Sequence, residues 1–219
     1  MSEAVCFLYD FDGLLIDSET AGLISWQELY AEHGYELDLD HWLAEIGASR
    51  GPVMPTAAFE NAHGSAPDWR RLEAERIRRR DELLVARPGV PGHLAAAAAA
   101  GVRLAIVSNA PDWWVDAMLE HTGIDPDLFE IVVTKSPELA KKPQPDAYLH
   151  AMRTLDTTAD RVLVFEDSPP GIAAATAAGL LCVAVPNAVT ERMDLSGAPV
   201  ILPRIDALPV RRLIALARG

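Results

Sequence analysis

Lysine is nearly absent. The chain has Lys135, Lys141 and Lys142 against sixteen arginines, and no lysine precedes position 135. Positive charge is short overall: 19 Lys+Arg face 32 Asp+Glu, a net charge of −13. A chain this acidic is a poor candidate for non-specific binding to nucleic acid or to an anionic membrane. Cysteine is also scarce. Cys6 and Cys182 each sit inside an apolar run, with no Cys-x-x-Cys spacing, so both read as buried thiols in a reducing compartment. The six histidines show no His-x-x-x-His spacing, and none is assigned a role. No apolar run reaches the roughly 18 to 20 residues of a membrane-spanning helix. The Met-Ser-Glu-Ala start shows no basic stretch followed by a long apolar one, so no signal peptide is expected. These absences predict a cytoplasmic protein; its oligomeric state, monomer or small homo-oligomer, is left open by the sequence.

What is present is a globular composition. Half of the 219 residues are hydrophobic and 23% are charged, enough for a sizeable core and too apolar for global disorder. Five short apolar runs, 4–9, 102–107, 131–133, 162–165 and 181–185, read as buried strands, with a weaker sixth at 200–202. Helical stretches are expected at 93–100, 111–122, 145–154 and 171–178. The first has proline at its start and glycine after its end, and its alanine run predicts close packing on a sheet. This alternation predicts an α/β fold, a Rossmann-like parallel sheet with helices on both faces. Residues 17–88 break the rhythm. They hold no good strand and read as helices, the longest at 18–33 and 69–85. The expected division is an α/β core of residues 1–16 and 89–219 with an all-helical domain, 17–88, inserted after the first strand.

Ligands of open parallel sheets bind beyond the carboxyl ends of the strands. Asp10-Phe11-Asp12-Gly13 follows the first expected strand, Ser108-Asn109 the second and Glu166-Asp167-Ser168 the fourth. A lone Asp there is usually a turn or a helix cap; several at one edge point to a site. Asp10 and Asp12 are two apart, so an extended chain would project both to one side. Two such carboxylates repel unless a cation intervenes, and Asp167 adds a further oxygen. An all-oxygen set of this kind favours Mg²⁺. Lys141 and Lys142, just before Pro143, either decorate a loop or bring an ammonium to a carboxylate and a phosphate.

In order and spacing these residues resemble the haloacid dehalogenase superfamily. Its phosphatase motif D-x-D-G-T/V-L-x-D-S is matched by Asp10 through Ser18, and its strand ending in Ser or Thr by Val107-Ser108-Asn109-Ala110. Its Lys-Pro-x-Pro-Asp segment is matched by Lys142 through Asp146, and its E/D-D-S-x-x-G by Glu166 through Gly171. Leu14 replaces the usual Thr or Val, and Lys141 the usual Gly. The helical insert resembles the type I cap of subfamily IA, and the nearest likeness is to the β-phosphoglucomutase-like phosphatases. The resemblance implies Mg²⁺-dependent hydrolysis of a small phosphomonoester, sugar or polyol phosphates first, through an aspartyl phosphate. Asp10 would be the nucleophile and Asp12 the general acid and base. Asp10, Asp12 (through its carbonyl) and Asp167 would bind Mg²⁺, and Glu166 would act through water. Ser108 and Asn109 would hold phosphate oxygens, and Lys142 would bridge phosphate and Asp10.

Within the superfamily the residues discriminate. Asp12 disfavours the dehalogenases, which need no acid there. The lack of lysine before Lys135 disfavours the hydrolases that use a cap lysine as a Schiff base. A sugar phosphomutase is the alternative, since Gly47-Ala48-Ser49-Arg50 matches the Gly-x-Ser-Arg of those enzymes. Gly22 stands where they carry a histidine, which favours the hydrolase. A phospho-metabolite binding protein without catalysis is a third reading, disfavoured by the intact acid pair. Arg50 is a candidate for the substrate's distal oxygens, with a surface arginine as the plain alternative. The Arg76–Arg80 run reads as a solvated face. Trp113 and Trp114 would pack as core or hinge, or else wall the pocket.

Overall fold

The structure is a computed structural model that describes residues 4–34, 36–37, 39 and 69–218. Short runs of Val, Ile, Leu and Phe build six strands: β1 (Cys6–Tyr9), β2 (Arg103–Val107), β3 (Phe129–Val133), β4 (Val162–Glu166), β5 (Leu181–Ala184) and β6 (Val200–Ile201). They form one sheet in the order β3-β2-β1-β4-β5-β6, and every neighbouring pair is parallel. All residues of β1 and β4 are buried, as expected for strands covered on both faces. The chain winds outward in both directions from β1. That reversal between β1 and β4 is the switch point at which a parallel sheet opens a crevice.

The described helices are α1 (Ser18–Glu32), α2 (Trp69–Leu83), α3 (Val90–Ala99), α4 (Asp112–Thr122), α5 (Asp146–Thr154), α6 (Pro169–Ala177) and α7 (Val210–Ala217). One face of the sheet packs Cys6, Leu8, Ala105, Val107 and Val164 against Tyr148 and Ala151 of α5 and Ile172 and Ala175 of α6. On the other face Phe7, Tyr9 and Phe165 surround His93 of α3 with ring centroids 5.0 to 6.4 Å apart. Two expectations change here. No element was expected after residue 202, yet α7 buries Leu213 and Ala217, one turn apart. The alanine run is mostly not packed on the sheet; Ala97 is buried, whereas Ala95, Ala96 and Ala99 are exposed. Its contribution is helix propensity.

Residues Met1–Asp17 with Val85–Gly219 form one compact unit and Ser18–Leu84 another. In the second, α1 and α2 pack on Trp26, Leu29, Tyr30 and Leu72. The arginine run of α2 is not simply a solvated face. Arg76 is buried, with its guanidinium 4.5 Å from the centre of the Trp26 ring, and it pairs with Glu73. Arg79 binds both oxygens of Glu32 on α1. Three residues apart, Arg76 and Arg79 follow the helix face that meets α1, whereas Arg78 projects outward beside Glu82.

His93 is nearly inaccessible and its Nε2 lies 2.9 Å from the Tyr9 hydroxyl. Burial lowers its pKa from 6.5 to about 4, against the weaker pull of Asp206. Between those values the unfolded chain binds a proton that the folded chain refuses, so stability falls as pH falls from 6.5 toward 4. Urea midpoints at pH 7 and pH 5 test this. His93→Gln, which keeps a partner for Tyr9, should lose less stability over that interval than the wild type.

Candidate active site

The carboxylates of the cluster and Ser108 stand where strands end. The Asp10 amide still pairs with the Phe165 carbonyl at 3.0 Å, which fixes its side chain at the switch point. Ser108 leaves β2, its amide bonded to the Val133 carbonyl at 2.9 Å. Glu166 is the last residue of β4, in register with Ala184, and Asp167 follows it. Ser108, Glu166 and Asp167 are all buried, and Asp10 is 9% exposed.

The Lys142 ammonium sits among them. Its Nζ lies 2.5 Å from Asp10 Oδ1, 2.6 Å from Glu166 Oε1 and 2.7 Å from the Val107 carbonyl. An ammonium has three protons, so one lysine ties together the ends of β1, β2 and β4. Between the two neighbouring lysines the structure selects Lys142; Lys141 is exposed. Tyr148 of α5 donates to the same Glu166 oxygen at 2.6 Å, and the Asp167 amide reaches Glu166 Oε2 at 3.3 Å. Asn109 accepts from the Lys142 amide at 3.0 Å, so its side chain anchors the loop that delivers the lysine.

Glycine makes room in two places. A Cβ on Gly171, in the first turn of α6, would lie 2.0 Å from the Glu166 carboxylate. A Cβ on Gly13 would lie 2.3 Å from Asp167 Oδ2, and φ there is +79°. Two residues absent from the sequence reading complete this corner. Asn187, after β5, donates to Asp167 Oδ2 at 2.8 Å and to the Gly13 carbonyl at 3.1 Å. Arg87 donates to the carbonyls of Gly13, Val185 and Pro186 at 2.6 to 2.9 Å, locking the motif loop to the end of β5. Neither residue carries a carboxylate, and no spacing marks them; only the fold brings them in.

Asp10 and Asp12 part company. β1 ends at Tyr9, and the amides of Leu14, Leu15 and Ile16 turn back onto the Phe11 carbonyl at 2.9 to 3.3 Å. The turn gives the two carboxylates different partners, while the charge of Asp12 still helps to raise the Asp10 carboxyl. Asp10 joins Glu166 and Asp167 in a cluster whose ligand atoms all lie within 4.8 Å of one another. Asp12, half-buried, accepts instead from the Trp114 indole Nε1 at 3.1 Å. Of the two tryptophans, Trp114 makes this bond, whereas Trp113 is 66% exposed. Arg50 lies outside the described residues, as does the Gly47–Arg50 loop.

The charges of the cluster do not balance. Asp10, Glu166 and Asp167 bring three carboxyl groups to one ammonium. Burial, and then the charge of Glu166, push the Asp10 carboxyl up to about 8 against the opposing pull of Lys142. Burial works against the charge on Lys142, but Asp10 and Glu166 outweigh it and hold the ammonium above its usual range. A divalent cation among these oxygens would supply the missing positive charge and favour the ionised form of Asp10. The donor set, oxygen only, fits a hard divalent ion.

A model of the haloacid dehalogenase-like hydrolases matches residues 7–185. The chain belongs to that family. The match spans the site from β1 to the end of β5. YhcW of Bacillus subtilis, a protein named as a phosphatase, is 37% identical over 186 residues, 84% of either chain. Among solved structures, a haloacid dehalogenase family hydrolase from Deinococcus radiodurans R1 with bound phosphate and sodium is 28% identical. It covers 99% of this chain and 97% of its own at a TM-score of 0.77. A variant of CbbY from Rhodobacter sphaeroides, in complex with xylulose-1,5-bisphosphate, is 25% identical. It covers 92% of this chain and 95% of its own at a TM-score of 0.67. This member of the haloacid dehalogenase-like family is therefore a hydrolase on the α/β core that its motifs imply.

The shared lysine gives this family member a testable weak point. Lys142→Met leaves Asp10 and Glu166 buried with no ammonium between them. Breaking such a buried pair costs about 3 to 5 kcal/mol. Urea unfolding at pH 7.5 should read that loss.

Proposed function

We propose that the protein is a Mg²⁺-dependent phosphatase of small phosphomonoesters, with sugar and polyol phosphates as the first substrates to test. The observation that carries this reading is the different partners of the two motif aspartates, one on the lysine within the carboxylate cluster and the other on an indole. A nucleophile and an acid–base group need such different surroundings. Asp10 attacks phosphorus with one carboxylate oxygen, and the ester oxygen leaves with a proton from Asp12. Water then attacks the aspartyl phosphate and gives its proton to Asp12. Orthophosphate leaves and the Asp10 carboxylate returns. The Ser108 hydroxyl and backbone N–H groups at Asn109 hold phosphate oxygens, and Lys142 steadies the charge shared by phosphate and Asp10.

Asp10, Asp167 and the Asp12 carbonyl would hold Mg²⁺, with Glu166 acting through water while it orients Lys142. When bound, the ion offsets the repulsion between a carboxylate nucleophile and a phosphate dianion. In this reading residues 1–16 and 89–219 are the catalytic core and residues 17–88 the cap that selects substrate, with Arg50 a candidate for distal oxygens. The partner is a small phosphorylated metabolite in the cytoplasm, not a nucleic acid or a membrane. The names carried by the relatives, a phosphatase and a protein bound to a sugar bisphosphate, support this class.

Phosphate release from a panel of sugar, polyol and other small phosphomonoesters tests the reading. Turnover should require Mg²⁺, vanish with chelator, and be lost by at least about a thousandfold in Asp10→Asn. Unchanged release by Asp10→Asn would overturn it. Labelling of Asp10 without release of phosphate would make the protein a phosphomutase instead.

A further inference from the structure

We propose that Trp114 is a positioning residue for Asp12, its indole N–H fixing the direction of the acid–base carboxylate. The inference rests on Asp12 acting as acid and base, as set out above. The contact joins positions 102 apart in sequence, through Nε1 and Oδ1 at 3.1 Å, within the range of a formed hydrogen bond. The two residues arrive by separate routes. Trp114 stands in the first turn of α4, where the Trp114 amide bonds the Pro111 carbonyl at 3.1 Å. Asp12 stands in the turn closed on Phe11.

Three features make this contact more than packing. The Asp12 carboxylate belongs to no cation cluster found among the described residues, so a bound ion would not aim its side chain. The terminal torsion of aspartate is soft, and Asp12 is half-buried, so a carboxylate meant for proton transfer needs a restraint. An indole N–H supplies one without competing for the proton, because it donates only and does not titrate in the working range. The neighbouring Trp113 is 66% exposed and meets the Trp114 ring edge-on at 6.1 Å; Trp113→Phe keeps an aromatic ring there and serves as the internal control.

The mechanism dictates the readout. An alkoxide leaving group needs the proton of Asp12, whereas 4-nitrophenolate leaves well without it. kcat/KM reads the steps up to departure of the leaving group, so the later use of Asp12 as base does not enter. In holoprotein supplied with Mg²⁺, Trp114→Phe should lower kcat/KM for the best alkyl phosphate of the panel by about 10- to 100-fold. It should change kcat/KM for 4-nitrophenyl phosphate by less than about threefold. Trp113→Phe should leave both unchanged. An equal loss on both esters, or no loss on the alkyl ester, overturns the inference.

A second readout needs no activity and no Trp114 variant. The Trp114 indole ¹H–¹⁵N resonance, assigned by triple-resonance spectra, should move upfield in Asp12→Asn and stay in place in Asp116→Asn. A resonance indifferent to Asp12 overturns the inference. A protein that hydrolyses neither ester overturns the phosphatase reading instead, and the indole resonance alone then decides whether Trp114 holds Asp12.

Discussion

The site depends on one buried ammonium. Lys142 is held by two carboxylates and a carbonyl that belong to three different strand ends. Alone, each of these groups would be costly to bury. Together they make a hydrogen-bonded set in which Lys142 donates to Asp10, Glu166 and the Val107 carbonyl, and Tyr148 donates to the same Glu166 oxygen. The set needs the strand order observed here. Only with β1 between β2 and β4 do Asp10, Val107 and Glu166 surround one point. The topology and the electrostatics are thus one constraint, and the surplus of negative charge that remains defines what a bound cation would do.

Space is as strictly assigned as charge. Glu166 can lie against the first turn of α6 only because Gly171 has no side chain, and Asp167 can lie over the motif loop only because Gly13 has none. Asn187 and Arg87 then hold that loop from the β5 side. Their bonds end on backbone carbonyls as well as on Asp167, so they stabilise the path of the chain around Asp10 and Asp167. The result is a rigid cradle around Asp10 and Asp167 beside a more exposed Asp12. A nucleophile gains from the first environment and a proton shuttle from the second.

Much of this was legible in the sequence because the informative residues are forced to strand ends. The buried runs had to be strands, parallel strands had to be covered, and the carboxylates following them had to converge. The six strands appear within a few residues of their expected bounds, Glu166 being drawn into β4 by its pairing with Ala184. The contacts that complete the site were not legible. Asn187 and Arg87 look like loop residues until the fold closes, and Trp114 reads first as core or hinge packing. α7 was missed because its apolar positions, Val210, Leu213, Ile214 and Ala217, fill too short a segment to stand out from the preceding loop. The split between Asp10 and Asp12 depends on where β1 ends, which alternation of side chains cannot locate.

The central claim, that Asp10 takes the phosphoryl group while Asp12 manages the protons, is tested most directly by rapid acid quench. The protein would be mixed with Mg²⁺ and a phosphorus-labelled substrate, quenched within milliseconds and mapped by peptide mass spectrometry. The account predicts an acid-stable, base-labile phosphate on Asp10, absent in Asp10→Asn. A turnover that leaves no label, or a label on any other residue, would contradict it.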